Sequence, residues 1–163
     1  GAVSTRLTSP RFQQLIEIYE EFECPVLASV RARSPEDYSR YGFAGGKELR
    51  EGLIEAKTLI EKPGKDNAPS QLATVSGSIF TPDIFEYIDK AMTNLGEGAE
   101  LYYNDLLKLM LNDGKRILAA EIKGGKYYDT GNKLEYLKTV IEFGLEHEEF
   151  NGDFREYLRQ LKI

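Results

Sequence analysis

The stretch LIEAKTLIEKP, residues 53–63, carries the clearest indication of the fold. Most of its first nine residues are aliphatic or β-branched, and Pro63 ends the run because proline cannot donate to a strand ladder. Residues 64–71 are rich in Gly, Pro, Asn, Asp and Ser, which is typical of a loop. A second β-rich run follows. The pattern therefore predicts two strands, over residues 53–61 and 72–80.

Working outward from this pair, predicted strands alternate with predicted helices, and this alternation indicates an α/β domain with a mixed sheet. Tyr41-Gly42 and Gly45-Gly46 are expected to break the chain. The further predicted strands cover residues 25–30, 117–122 and 126–129. Two predicted helices cover residues 10–22 and 101–111, and a short one begins at Ser34. Another begins at Thr81, with Ile84, Phe85 and Ile88 buried. A further helix is capped by Asn132 and has Leu134, Leu137, Ile141 and Leu145 on one face, and the last one contains Phe150, Phe154, Tyr157 and Leu161.

Composition limits the class of protein. The chain has 163 residues, 41% hydrophobic and 29% charged, which suits one globular domain with a substantial core. A net charge of −6 without a basic cluster argues against a nucleic-acid partner. No apolar run approaches the length of a membrane span, so no membrane partner is expected. The single cysteine, Cys24, can form neither an internal disulfide nor a zinc site, which fits the cytoplasm, and we predict that it is a buried small hydrophobe.

The amino terminus, Gly1-Ala2, lacks an initiator Met. We interpret residues 1–8 as a loose lead or the remnant of a cloning tag, and residues 9–163 as the domain. The natural protein is therefore expected to begin elsewhere.

Glu61-Lys62-Pro63 is the first motif that can carry chemistry. Proline disfavours the α region for the preceding residue, so Lys62 is expected to leave the strand in an extended conformation. A lysine there can bind a phosphate, and a glutamate can accept sugar hydroxyls. The alternative is two solvated charges before a turn.

Asp129 is the second candidate, because it ends a predicted strand just before the start of a helix, where ligands collect in α/β sheets. A carboxylate there can bind Mg²⁺ together with substrate phosphates. The alternative is an aspartate that caps the helix or makes a turn. Gly42 is a third candidate, since glycine lets a ligand approach the backbone, and a plain turn is its alternative. His147, the sole histidine, has no nucleophile motif nearby and is interpreted as structural.

Taken in order, these motifs resemble one family. Five segments are similar to successive segments of the bacterial UTP–glucose-1-phosphate uridylyltransferases, which are sugar-phosphate nucleotidylyltransferases. They are the helix FQQLIEIYE (12–20), the segment Ser39-Arg40-Tyr41-Gly42, the run TLIEKP (58–63), the segment APSQLA (68–73) and the run YYDTGNKLEYL (127–137). The likeness runs from about Ser9 to the end of the chain.

The resemblance implies a Rossmann-like nucleotide-diphospho-sugar transferase fold, truncated at the amino terminus, and a reaction that forms UDP-glucose and pyrophosphate from UTP and glucose 1-phosphate. It implies that Lys62 binds the sugar phosphate and acts as the catalytic cation, and that Glu61 accepts hexose hydroxyls. It further implies that the backbone at Gly42 and Val75 meets the sugar ring, and that Asp129 is one of two aspartate ligands of Mg²⁺.

The family's Gly-rich nucleotide loop and its first metal aspartate have no counterpart in this sequence, so the chain alone is expected to be inactive. Exposed strand edges predict self-association, and a homo-oligomer is expected. Two departures from the family pattern bear on the sugar specificity and on any role of the second run. Ser76-Gly77-Ser78 stands where many members have Gly-Arg-Tyr, and Glu100-Leu101-Tyr102-Tyr103-Asn104-Asp105 stands where Glu-x-Gln-Leu-Thr-Asp is usual. The alternatives are a non-catalytic binding module of the same fold and a thymidylyltransferase-type enzyme for a hexose 1-phosphate.

Overall fold

The computed structural model describes residues 2–3, 9–93, 95–96 and 98–161. The chain divides into a larger unit, Leu7–Gly124, and a smaller unit formed by Gly1–Arg6 with Gly125–Ile163. The predicted lead, residues 1–8, is described only at Ala2–Val3, which form the short strand β1; its other residues lie outside the described part. No helix in the described ranges is long and apolar enough to cross a membrane.

Within its described residues, the larger unit holds five strands and three α-helices. The strands are β2 (Val26–Arg31), β3 (Gly42–Arg50), β4 (Leu53–Glu61), β5 (Leu72–Ile79) and β6 (Leu118–Glu121). The helices are α1 (Arg11–Phe22), α2 (Ile84–Thr93) and α3 (Tyr103–Asn112), with short 3-10 turns at Pro35–Ser39 and Lys65–Asn67. The predicted strand over residues 53–61 is confirmed in full.

The strands of the larger unit pair in the order β2-β5-β3-β4-β6, and β6 pairs back to β2. The β2–β6 pair is parallel and the other four pairs are antiparallel, which confirms the predicted mixed sheet. β3 and β4 form a hairpin, and each of them also pairs with one further strand. Gly42 and Phe43 of β3 pair with β5, whereas Leu53–Glu55 of β4 pair with β6.

The expected break at Gly45-Gly46 is wrong, because both glycines lie inside β3 at a shift in its register with β4. A glycine inside a strand often marks such a bulge or a close approach of another chain segment. Here a Cβ on Gly45 would lie 2.4 Å from Cβ of Pro69, and a Cβ on Gly46 would lie 2.0 Å from the carbonyl oxygen of Glu55. These glycines permit tight packing along the strand.

The core of the larger unit lies between the strands and the helices α2 and α3. Leu107 and Met110 of α3 are fully buried. Burying a side chain of this size stabilises the fold by about 1.5–3 kcal/mol. The predicted buried face of α2 is wrong at Phe85, which is 68% exposed. Tyr87 and Ala91 face the core instead, since the helix begins at Ile84 and its buried stripe is rotated.

The smaller unit contains β7 (Tyr127–Tyr128), α4 (Lys133–Glu146) and α5 (Asn151–Gln160), and β1 pairs with β7. Asn132 caps α4 as predicted, and its side chain accepts hydrogen bonds from the amides of Leu134 and Glu135. The helices pack closely at Gly144, where a Cβ would lie 2.7 Å from the ring of Phe154. The apolar residues of α4 do not form a buried face, because Leu134 and Leu137 are each 59% exposed.

Candidate functional site

Glu61, Gly42 and Thr74 form a row across three neighbouring strands of the larger unit. In the strand register Gly42 of β3 lies opposite Glu61 of β4 on one side and opposite Thr74 of β5 on the other. Residues paired in this way project from the same face of a sheet. The antiparallel pairing thus brings together side chains that are far apart in the sequence.

Gly42 is a glycine for a local reason. A Cβ at this position would lie 2.8 Å from Oε2 of Glu61 and 3.2 Å from Oγ1 of Thr74. The Thr74 hydroxyl also donates to the carbonyl of Gly42 at 3.2 Å. The glycine therefore leaves room for two polar side chains to converge above it.

The carboxylate of Glu61 is held from α3. Nδ2 of Asn104, in the first turn of α3, donates to Oε2 of Glu61 at 3.1 Å. Next to Asn104, burial raises the pKa of Tyr103, and its interaction with the Thr74 hydroxyl opposes this rise. The opening turn of α3 thus contacts both polar members of the row.

A small cavity of about 10 Å³ lies at this point, and it has room for about one water molecule. It is lined by Gly42, Leu59, Ile60, Glu61, Thr74, Asn104 and Lys108. A hexose ring cannot enter a space of this size, but a single hydroxyl group can.

Lys62 has an unusual backbone. The expected extended exit is wrong, because φ of Lys62 is +47°, in the left-handed region. Its amide donates to the carbonyl of Tyr41 at 3.0 Å, which joins the end of β4 to the residue before β3. A non-glycine residue in this region costs roughly 1–3 kcal/mol, and such residues cluster at functional sites. The side chain is exposed, and within the described residues it has no ion-pair partner.

Val75 follows Thr74 on β5 and is 5% exposed. The register of β5 with β2 shifts in this region, between the positions paired with Leu27 and Ser29. The guanidinium of Arg11 lies over the shift, donates to the carbonyl of Ser76 at 3.1 Å, and fills the space where Gly77 has no side chain. The sequence departure at residues 76–78 therefore coincides with an irregular stretch of β5 that α1 supports.

Asp129 belongs to the smaller unit and directly precedes the turn into α4. Its Oδ1 accepts a hydrogen bond from the amide of Gly131 at 3.2 Å, and its carbonyl accepts one from the amide of Asn132 at the same distance. The turn that was named as the alternative role is thus present. A half-buried carboxylate in a turn can still supply one oxygen ligand to Mg²⁺, which commonly uses one or two carboxylates.

The described residues contain no group of three or more His, Cys, Asp or Glu side chains suited to a metal ion. Asp129 therefore fits Mg²⁺ only as a single protein ligand beside substrate phosphates. Gly42, Glu61 and Lys62 lie close together where β3 and β4 pair, and Val75 follows Thr74, which pairs with Gly42. The expected approach of Asp129 to Lys62 stays a prediction.

Thr74, Asn104 and Lys108 were not identified as site residues from the sequence. Only Asn104 had a usable signal, because it stands in a run that departs from the family pattern. His147, interpreted as structural, stacks on Phe150 with ring centroids 4.1 Å apart. Cys24 is buried as predicted, and burial raises the pKa of its thiol.

Comparisons with known proteins identify relatives of this chain. The chain is 35% identical over 153 residues to a UTP–glucose-1-phosphate uridylyltransferase of Streptococcus pneumoniae serotype 4, covering 93% of this chain and 50% of the relative. A second relative, UTP–glucose-1-phosphate uridylyltransferase 1 of Streptococcus pyogenes serotype M3, is 32% identical over 161 residues, covering 98% of this chain and 51% of the relative. The chain thus spans about half the length of the curated relatives it matches.

Solved structures show the same relationship. A UDP-glucose pyrophosphorylase complexed with UDP-glucose is 31% identical, with a TM-score of 0.73 over 89% of this chain and 53% of that one. A UTP-bound enzyme from Acinetobacter baumannii, 23% identical, supports the fold alone, with a TM-score of 0.82 over 98% of this chain and 53% of that one. The predicted fold class and the family resemblance are confirmed. The sequence profile described as "Nucleotidyl transferase" matches residues 4–143, and the chain belongs to this family.

Proposed function

We propose that this chain supplies the sugar-phosphate site of a UTP–glucose-1-phosphate uridylyltransferase. The observation that carries the proposal is the convergence of Gly42, Glu61 and Thr74 in one row, with Lys62 next to it, in a chain of the nucleotidyl transferase family. The names of the most similar relatives supply the substrates, UTP and glucose 1-phosphate, and the product, UDP-glucose.

Each proposed role follows from the chemistry of its side chain. Lys62 is an exposed cation on a constrained backbone, so its ammonium binds the phosphate of glucose 1-phosphate and offsets the charge that builds up as a phosphate oxygen attacks the α-phosphorus of UTP. Glu61 accepts hydrogen bonds from hexose hydroxyls, and the backbone at Gly42 and Val75 meets the ring. The reaction needs no covalent intermediate, since positioning and charge neutralisation suffice.

Mg²⁺ is part of this proposal through Asp129, which supplies one carboxylate ligand. When bound, the metal ion polarises the α-phosphate of the nucleotide. The second aspartate ligand has no assigned counterpart in this sequence. One carboxylate holds a divalent ion weakly, so we expect no turnover by this chain alone.

Lys62→Ala tests the sugar-phosphate site on the chain itself. Titration of ¹⁵N-labelled protein with glucose 1-phosphate is expected to shift the amides of residues 42 and 62, and the substitution is expected to weaken binding about tenfold, because it removes a charge-assisted contact. Lys65→Ala, an exposed lysine in the neighbouring 3-10 turn, is the matched control and leaves affinity unchanged. Equal losses in the two variants would refute the assignment of Lys62.

Activity assays separate the two alternatives that stay open. The chain incubated with UTP, glucose 1-phosphate and Mg²⁺ is expected to release no pyrophosphate, and formation of UDP-glucose would contradict its expected inactivity. The same assay on the product of the longest reading frame through Val3 tests catalysis, and dTTP in place of UTP distinguishes a thymidylyltransferase. A frame without a nucleotide loop would favour the non-catalytic module.

A further inference from the structure

We propose that Asn104 is a sugar-binding and specificity-determining residue, which together with Glu61 presents two hydrogen-bond acceptors to the hydroxyl groups of a hexose. The inference rests on the proposed function and extends it to a residue that the sequence motifs do not include. It is carried by the hydrogen bond from Nδ2 of Asn104 to Oε2 of Glu61 and by the small cavity that both side chains line.

The hydrogen bond determines the orientation of the amide. A carboxylate can only accept, so the Asn104 nitrogen must face Glu61 and the amide oxygen is left as an acceptor. Within the described residues, Oε1 of Glu61 and Oδ1 of Asn104 have no hydrogen-bond donor. Each of these acceptors can take the single proton of one hydroxyl group, so the pair suits sugar hydroxyls and disfavours a phosphate or a carboxylate.

The neighbouring polar groups are already engaged. Thr74 donates its hydroxyl proton to the carbonyl of Gly42, and Nζ of Lys108 pairs with Asp105 at 3.2 Å. Within the described residues neither group donates to the amide oxygen of Asn104. The cavity of about 10 Å³ therefore accepts one hydroxyl of a sugar whose ring stays outside.

Asn104 is also held firmly enough to discriminate. It lies in the first turn of α3, which is anchored in the core through Leu106, Leu107 and Met110, all at most 7% exposed. Rigid support of this kind is what a specific polar site requires. The residue stands where the resembled family usually has Thr, so the contact gives this chain a sugar selectivity of its own.

The test compares glucose 1-phosphate with its singly deoxygenated analogues and with inorganic phosphate, titrated into the chain by NMR. The wild type is expected to lose about 3- to 10-fold in affinity for the analogue that lacks the recognised hydroxyl, the size of one hydrogen bond. In Asn104→Ala and in Asn104→Leu this loss shrinks to less than about twofold, while affinity for inorganic phosphate is unchanged. Leu keeps the bulk of Asn, and Asn112→Ala at the other end of α3 is the matched control.

A double-mutant cycle with Glu61→Gln separates recognition from a general structural effect. The two residues are expected to be coupled in the discrimination between sugar and deoxy sugar, so their effects are not additive. If the wild type discriminates and the Asn104 variants discriminate equally, the inference is refuted while the sugar site stands. If the wild type binds glucose 1-phosphate no better than inorganic phosphate, the proposed sugar site itself is refuted, and the inference with it.

Discussion

Gly46→Ala is the substitution whose cost can be worked out most directly from the structure. The added Cβ would lie 2.0 Å from the carbonyl oxygen of Glu55 and 2.9 Å from the amide nitrogen of Lys57. Both are backbone atoms of the paired strand β4, so no change of side-chain rotamer can relieve the contact. The two strands must move apart.

The size of that movement sets the energy. Ordinary contact begins at 3.4 Å, so the strands must separate locally by 1.4 Å, the difference between 3.4 and 2.0 Å. A ladder hydrogen bond of about 2.9 Å does not survive such a displacement. Two lost ladder bonds at about 1 kcal/mol each, with about 1–3 kcal/mol for overpacking, give a loss of roughly 3–5 kcal/mol in the free energy of unfolding.

Gly42→Ala is the informative contrast, because its added Cβ meets only side-chain atoms. The Oε2 atom of Glu61, at 2.8 Å, belongs to an exposed side chain that can rotate away, and the Thr74 hydroxyl at 3.2 Å needs a shift of a few tenths of an ångström. We expect a loss below about 1 kcal/mol in stability, but a clear loss of sugar affinity. Gly152→Ala, in open space on α5, is expected to stabilise its helix by about 0.5–1 kcal/mol.

Urea unfolding followed by circular dichroism measures all three variants, with the midpoint and the slope compared to the wild type. The expected order of stability is Gly152→Ala, then Gly42→Ala, then Gly46→Ala. Two results would contradict this expectation: a free energy of unfolding for Gly46→Ala within about 1 kcal/mol of the wild-type value, or equal stability of Gly42→Ala and Gly46→Ala. Either result would mean that the pairing of β3 with β4 differs from the register described above.

Three further expectations concern stability and association. Burial and a hydrogen bond to Glu142 raise the pKa of Tyr128 to about 12 from 10.0, so the native state holds this proton more tightly than the unfolded state does. The free energy of unfolding, measured in urea, should therefore fall by roughly 1–3 kcal/mol as the pH rises from 10 to 12. Tyr128→Phe is expected to remove this pH dependence. Leu137 is 59% exposed on α4 and is expected to promote self-association. Leu137→Glu should therefore lower the mass measured by light scattering at high protein concentration without reducing thermal stability. A wild type that is monomeric at all concentrations would contradict this expectation. Tyr87→Phe should cost about 1 kcal/mol in urea, because it removes a buried hydroxyl that donates to Asp113 at 3.0 Å, and an unchanged midpoint would show that this bond contributes nothing.

The sequence predicts most of the secondary structure because its signals are local. The strand over residues 53–61 ends before Pro63, and the Asn132 cap needs only its own neighbours. The errors occur where a distant contact decides. Gly45-Gly46 resemble a loop by composition, yet they belong to β3 because Pro69 and the β4 backbone pack against them.

The site shows the same division between local and distant information. Glu61, Lys62 and Gly42 could be selected from short motifs, although the motifs do not show that they meet. Asn104 could not be selected by chemistry, because its partner Glu61 lies 43 positions earlier and only the placement of α3 joins them. A departure from the family pattern marked the position without indicating its role.

These contacts also explain why sugar binding and catalysis can be examined separately in this chain. Gly42, Glu61 and Thr74 are aligned by strand pairing, Lys62 by a backbone hydrogen bond to Tyr41, and every one of these contacts lies within Leu7–Gly124. Because their geometry depends on the register of β3, β4 and β5, the proposed sugar site is expected to require only the larger unit. The proposed catalysis needs the nucleotide and a metal ion in addition, and Asp129 is the one metal ligand that we propose in this chain. We therefore expect substitutions in the row to change sugar affinity in the isolated chain, and substitution of Asp129 to matter only where the nucleotide is bound.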